Sequence, residues 1–162
     1  HRGKFQSEIG ALFGKEGYQG DFYGIRLGLE AQITDHLSAE VDVESVDADS
    51  WLVWDSENVI GDYQRRESTF SLNMSYVRGR HELRLKGEAV AINANLNSSL
   101  QVATDGRVSP VDTGLADFTV SEFAMQLRYR YSLGRISELF LVYSRGGEFE
   151  GGRVSGSLGS KL

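Results

Sequence analysis

Phe22-Tyr-Gly-Ile-Arg-Leu-Gly-Leu-Glu-Ala-Gln-Ile-Thr34 reads as an extended strand with one oily side and one wet side. Successive side chains of a strand point to opposite faces. Tyr23, Ile25, Leu27, Leu29, Ala31 and Ile33 therefore share one face, and Gly24, Arg26, Gly28, Glu30 and Gln32 share the other. The apolar face is continuous over about 11 residues, the length a tilted strand needs to cross a bilayer. Such a strand suits lipid as well as a protein core, and the flanking sequence decides between them.

The same alternation recurs on both sides. Over residues 4–13, Phe5, Ile9, Ala11 and Phe13 oppose Lys4, Gln6, Glu8 and Gly10. Over 37–43, Leu37, Ala39, Val41 and Val43 oppose Ser38, Glu40 and Asp42, with Glu44 continuing an acidic row that no dry core would accept. Over 69–77, Phe70, Leu72, Met74 and Tyr76 oppose Ser71, Asn73 and Ser75. Over 82–91, Leu83, Leu85, Gly87 and Ala89 oppose Glu82, Arg84, Lys86 and Glu88. Over 118–133, Phe123, Met125, Leu127, Tyr129 and Tyr131 oppose Glu122, Gln126, Arg128 and Arg130, and a last segment, 138–144, is apolar on both faces. The pattern amounts to about seven antiparallel strands.

Composition removes other classes. The 162 residues contain no cysteine and a single proline, Pro110, which excludes a disulfide framework and thiolate chemistry. A formal charge of −6 with arginines interleaved among acids argues against nucleic acid, which needs a basic stripe. No apolar run is long enough for a transmembrane helix, and the start at His1 carries no signal-peptide pattern.

Connection lengths point to a particular all-β fold. Turns near Asp35, Gly79 and Gly134 are short, whereas the connections near Gly17, over 46–67, over 93–117 and after Arg145 are long and rich in Gly, Ser, Asn and Asp. This alternation predicts an antiparallel up-and-down transmembrane β-barrel of the outer membrane. Leu27, Leu29, Val41, Leu72, Met74, Leu85, Met125 and Leu127 would face lipid. Arg26, Glu30, Glu40, Asp42, Glu44, Arg84, Lys86, Glu88, Glu122, Arg128 and Arg130 would line the lumen. Tyr76, Tyr129 and Tyr131, with Phe5, would form an interfacial girdle at the short-turn end, and Tyr23 and Tyr143, with Phe22, one at the long-loop end. Residues 1–162 read as one domain, and because such barrels have an even strand number, the expectation is a partial barrel whose closing strand is absent. Further strands of the same protein or a partner chain would complete it. The competing architecture is a soluble secreted β-sandwich or lipocalin-like ligand- or carbohydrate-binding module, with the apolar face inside.

His81-Glu-Leu-Arg-Leu-Lys-Gly-Glu, Asp117-Phe-Thr-Val-Ser-Glu-Phe-Ala-Met-Gln-Leu-Arg-Tyr-Arg-Tyr and above all Ser137-Glu-Leu-Phe-Leu-Val-Tyr-Ser-Arg-Gly-Gly-Glu resemble the C-terminal portion of a family of large Gram-negative outer-membrane barrels. Members carry an N-terminal carbohydrate-binding-like domain, and the family's function is largely unassigned. The resemblance spans roughly residues 20–150. It implies that the Leu-Phe-Leu-Val-Tyr strand is the penultimate one and that an outer loop and a closing strand follow it. The resemblance does not extend to the carbohydrate-binding-like domain, so no sugar-binding role is expected of residues 1–162.

Candidate chemistry is sparse. His1 is terminal, His36 sits in a turn and His81 starts a strand; none accompanies a nucleophile motif, so no catalysis, cofactor or metal is expected. The row Glu40, Asp42 and Glu44 reads as a solvated lumen face, with Arg26, Arg84, Lys86, Arg128 and Arg130 pointing the same way. Mixed rows of this kind produce a transverse field that orients polar solutes; in a narrow barrel they would pair and plug it. Asp47, Asp49, Asp55, Glu57 and Asp62, with Trp51 and Trp54, read as a mobile acidic surface loop, since their spacing matches no calcium loop. Asp105-Gly106 reads as a turn. The functional expectation is an outer-membrane channel or transport scaffold for polar solutes, with the lipid bilayer as partner; the alternative in the membrane is an anchor displaying surface loops to a partner.

Overall fold

Each alternating segment becomes a β-strand bonded to its neighbour in the chain. The computed structural model describes residues 4–18, 20–56, 58–134, 136–150 and 153–161, and no helix occurs among them. The strands are β1 (Lys4–Glu16), β2 (Gly20–Thr34), β3 (Leu37–Ser56), β4 (Val59–Arg78), β5 (His81–Val102), β6 (Val108–Pro110), β7 (Phe118–Ser132), β8 (Glu138–Glu150) and β9 (Arg153–Lys161). They form one antiparallel sheet in the order β1-β2-β3-β4-β5-β7-β8-β9, with β6 folded back on β5. The sheet is not closed: β1 and β9 are its edges.

The register keeps every strand in phase. Ile9 pairs with Leu27, and the row continues through Val43, Phe70, Ala89 and Phe123. The next row toward the short turns runs Leu29, Val41, Leu72, Gly87 and Met125. Between them lie Asp42, Ser71, Glu88 and Ala124, on the other face. A slip of one residue at any pairing would exchange the two faces from that strand onward.

Short connections follow turn chemistry. Thr34 Oγ1 accepts from the backbone N–H groups of His36 and Leu37, at 3.2 and 3.1 Å, and so closes the β2–β3 turn. Gly79 has φ 62° in the two-residue turn between Arg78 and His81, the conformation that favours glycine at the first central position of a hairpin. Asp105 and Gly106 do form a turn: the Gly106 N–H donates to Ala103 O at 2.9 Å, and the Arg107 N–H donates to Asp105 Oδ1 at 3.0 Å.

Two expectations are overturned. The first is the long acidic loop over 46–67, which is strand: β3 and β4 have 20 residues each, and they pair out to Ser56 and Val59. Asp and Ser content suggested a loop, but both faces of this hairpin bear polar groups that find partners across the ladder, as Asp47 finds Arg66 at 2.8 Å. Bulges between Ala48 and Trp51 and between Trp54 and Ser56 interrupt the alternation that would have marked it. Residues 93–102 likewise belong to a strand, the 22-residue β5, and the connections read as long near Gly17 and after Arg145 are tight, with Glu16 paired to Gly20 and Glu150 to Arg153. The second is the strand count. β9 pairs with β8 from Glu150↔Arg153 to Val142↔Lys161, so the sheet path has eight strands rather than seven, and the chain turns back toward the short-turn end. Its Gly- and Ser-rich sequence carries too few apolar residues to register as an amphipathic strand.

The sheet curls toward its charged face. Adjacent strands lie about 4.8 Å apart, so strands three places apart in a flat sheet are separated by about 14 Å. Yet Arg65 of β4 reaches Glu16 of β1 at 2.9 Å, and the rings of Trp51 on β3 and Phe118 on β7 lie 6.0 Å apart. All four residues are on the charged face by register. That face is therefore concave and the apolar face convex. Among the described residues the buried apolar ones, Ala48, Tyr63, Ala94 and Leu100, all lie in the long-strand half of the molecule. Hydrogen exchange checks the hairpin: the amides over 47–54 and 60–66 are expected to exchange slowly, as a paired ladder does, and fast exchange throughout would restore the mobile loop.

Candidate functional site

The concave face gathers all eleven charged side chains singled out in the sequence: Arg26, Glu30, Glu40, Asp42, Glu44, Arg84, Lys86, Glu88, Glu122, Arg128 and Arg130. The strands sort them more than mixed rows would. Acids crowd β2 and β3, where Glu30 stands opposite Glu40 and is followed by Asp42 and Glu44. Cations gather on β5 and β7 toward the short turns, where Arg84 stands opposite Arg128 beside Lys86 and Arg130, while Glu88 and Glu122 of the same strands lie farther from those turns. Between them, over 71–75, β4 contributes neutral polar groups, Ser71, Asn73 and Ser75. A depression of about 240 Å³ spans the boundary, lined by Glu30, Glu40, Asn73, Ser75, Arg84 and Lys86 among others.

Pairing neutralises only part of this charge. Arg26 meets Glu44 at 2.9 Å, Glu82 binds both Arg84 and Arg130, and Arg130 also reaches Glu138 at 3.2 Å. Asp42 and Glu40 accept from Ser71 and Asn73, both at 3.4 Å. Among the described residues Lys86, Arg128, Glu30, Glu88 and Glu122 make no ion pair. Along the row Lys86, Asn73, Glu40 and Glu30 the arrangement leaves a field running across the face from β5 toward β2.

The convex face carries Leu27, Leu29, Val41, Leu72, Met74, Leu85, Met125 and Leu127, and no second layer covers it. Leu27 remains 46% exposed and Ile9 79%, values no folded core shows for residues at the middle of a strand. The apolar band has edges. At one end Ser45, Ser68, Ala91 and Ser121 form a row, and Asp47, Arg66, Asn93 and Thr119 form the next. At the other end Tyr76, Tyr129 and Tyr131 sit beside the β4–β5 turn, around a cleft of about 550 Å³ that Arg78, Arg80 and His81 also line. There His81 Nδ1 is 2.7 Å from Tyr129 Oη, and its ring lies against Tyr131 at 4.8 Å.

The second aromatic group differs from expectation. Tyr23 does lie at the long-strand end, opposite Phe13 and Asp47. Tyr143 instead pairs with Leu127, on a row that runs through Leu85, Met74, Ala39 and Ala31 to Phe5. Its distance along the chain from the β7–β8 turn suggested the far end, but pairing counted from Ser132↔Glu138 puts it nearer that turn. Phe22 points to the concave face, opposite Gly14 and Ala48, because its parity is opposite to that of Tyr23.

A compact cluster fills the concave side at the long-strand end, and the alternation alone did not reveal it. The Tyr63 and Phe118 rings meet edge to face at 5.0 Å, and Arg65 lies over Trp51 at 5.2 Å while pairing with Glu16 and with Glu67 at 3.0 Å. Beside it buried Ser50 accepts from the Tyr18 N–H at 2.7 Å and donates to Asp62 at 2.5 Å. Its sequence signal is the small residues Ala48 and Ala94 on the charged face, which leave room for these rings. The acids read as a loop thus have separate duties. Asp47 pairs with Arg66, Asp62 holds Ser50, and the Asp49 carbonyl accepts from Asn97 at 2.8 Å; Asp55 acts on Tyr63 through its charge, and Glu57 and His1 lie outside the described residues. No group of three His, Cys, Asp or Glu among the described residues is placed to hold a metal ion. Burial, reinforced by Asp55 and Asp117, raises the Tyr63 phenol above its usual 10.0.

The chain finds no match among protein families, curated proteins or solved structures.

Arg65 is the cation on which this cluster turns. Arg65→Gln leaves Glu16 and Glu67 without their partner in a site where the arginine side chain is only 16% exposed, and is expected to cost about 2–3 kcal/mol, between exposed and buried pairs. Arg107→Gln, whose side chain is 87% exposed beside Asp105, is expected to change the denaturation midpoint hardly at all; equal losses would refute the cluster. Tyr63 also links stability to alkaline pH. The neutral phenol is favoured in the folded chain, so its contribution is intact below pH 10 and falls as pH rises toward the raised folded value. Tyr63→Phe is expected to flatten that fall in melting experiments.

Proposed function

We propose that the chain is a segment of an outer-membrane β-barrel that forms a channel or transport scaffold for polar solutes, with the concave charged face toward the lumen and the convex apolar face toward lipid. One observation carries this reading: seven strands, β1–β5, β7 and β8, stay in phase around a sheet that curls toward its charged side and leaves its apolar side uncovered. A soluble lipocalin-like barrel or sandwich has the opposite curvature, apolar inside and charged outside. An apolar band on a convex surface buries nothing in water, whereas in hydrocarbon each apolar side chain is at home.

The resemblance of 117–131 and 137–148 to large outer-membrane barrels points the same way. An acidic stretch on β2 and β3 facing a basic patch of Arg84, Lys86, Arg128 and Arg130 across Asn73 and Ser75, with Lys86, Arg128 and Glu30 outside any ion pair among the described residues, supports a polar solute path rather than a plug of paired ions. The polar rows at Ser45–Ser121 and Asp47–Thr119 then mark the band's limit, and the long hairpin of β3, β4 and β5 stands beyond it. Catalysis has no part in this reading.

Solubility tests it first. The native protein is expected to extract only with detergent and to raise the ion conductance of planar bilayers. Leu127→Arg and Leu27→Arg, on the lipid side, are each expected to cost about 2–4 kcal/mol near the midplane, while Arg26→Leu costs little. Equal tolerance of charge on both faces, or a chain stable in plain buffer, would overturn the membrane assignment.

A further inference from the structure

We propose that the concave face carries a binding site for a small organic carboxylate, made by Arg84, Arg128 and Arg130 of β5 and β7 with Phe140 of β8 as its apolar wall. Arg84 and Arg128 stand directly opposite each other, and like charges so placed destabilise a sheet unless counter-charge offsets them. Glu82, nearly buried, supplies some of it by binding Arg84 and Arg130, and Glu138 reaches Arg130 at 3.2 Å. Arg128 receives none: among the described residues it has neither an ion pair nor a hydrogen bond. These three arginines, with Glu82, Tyr129 and Phe140, line a cleft of about 160 Å³.

The wall is unlike the rest of that face. Phe140 stands opposite Arg130 and Val142 opposite Arg128, so β8 places apolar surface where the other strands place charge. This is the two-sided apolar pattern of 138–144, which the barrel reading alone leaves without a purpose. Half of the Phe140 surface is open. A guanidinium fork matches a carboxylate in shape and charge, and the adjoining ring accepts an apolar body, a combination typical of small-molecule sites. An organic acid satisfies both; an inorganic anion satisfies only the arginines. The same head and body occur on a free acid and on a fatty acid of the membrane.

The proposal rests on the charged face being the solute-facing one, and the experiment separates the two. Detergent-solubilised full-length protein is titrated calorimetrically with benzoate, benzyl alcohol and inorganic phosphate, and with dodecanoate added to the micelles. Benzoate is expected to bind saturably and more tightly than phosphate, and benzyl alcohol not at all. Arg128→Gln, at an exposed and unpaired position that leaves folding intact, is expected to weaken benzoate at least about tenfold, with Arg128→Lys retaining part of the affinity. Phe140→Ser is expected to weaken benzoate and leave phosphate unchanged. Dodecanoate competing with benzoate and binding more tightly assigns the carboxylate to a lipid; benzoate binding alone assigns it to a soluble acid. Benzyl alcohol binding as well as benzoate, benzoate affinity unmoved by Arg128→Gln, or binding of neither carboxylate would overturn the site. Bilayer conductance of the same preparation judges the channel separately: conductance without carboxylate binding sinks the site alone, and carboxylate binding without conductance upholds the site while the channel reading fails.

Discussion

Phase is the constraint on which this molecule depends. Every side chain's face is set by its parity relative to the strand beside it, and the parity is handed on from β1 to β8 through six ladders of backbone hydrogen bonds that carry no side-chain information. The chain keeps it by placing each irregularity where it does no harm. The bulges at Ala48/Trp51, Trp54/Ser56 and Asp62/Tyr63 fall in the long hairpin beyond the apolar band, and the one at Gln32/Thr34 falls at the turn itself. Through the band, the rows from Leu27 to Phe123 are uninterrupted.

Curvature follows from what each face can hold. Gly10, Gly24, Gly28 and Ala48 line the concave side of the first three strands, and at Gly24 a Cβ would press on Val46 and the Ser45 carbonyl. Small residues let the strands close in on that side, and the aromatic cluster of Trp51, Tyr63 and Phe118 then bridges strands that a flat sheet would keep apart. On the convex side the ring contacts of His81 with Tyr129 and Tyr131 join only adjacent strands. The leucines and phenylalanines there spread outward, and only an apolar surrounding turns that spread into stability.

The strands through the apolar band, the antiparallel order and the partition of charged from apolar residues were legible because period-two alternation is strong there: Leu27 beside Arg26, Leu85 beside Lys86 and Leu127 beside Arg128 leave no ambiguity. The outer halves of β3, β4 and β5 were not, because a strand polar on both faces has no alternation to read, and Asp47, Asp49 and Asp62 mimic a loop. β9 escaped for the related reason that glycine and serine carry no face preference. Tyr143 was misplaced by counting along the chain, where only cross-strand register gives its level. The pairing of Arg84 with Arg128 depends on that same register, so the sequence held the two residues but not their opposition.

The order β1-β2-β3-β4-β5 has one further consequence, in how the sheet comes together. Each of these strands pairs with the one just made, so its ladder can zip from a turn of a few residues and needs no distant partner. β7 alone must find β5 across the segment 103–117. Closing that span rather than a two-residue turn costs about 2 kcal/mol more in chain entropy. The short hairpin of β6 on β5 shortens the path, and so lowers the entropic barrier at the one step of an otherwise nearest-neighbour assembly where the chain must search.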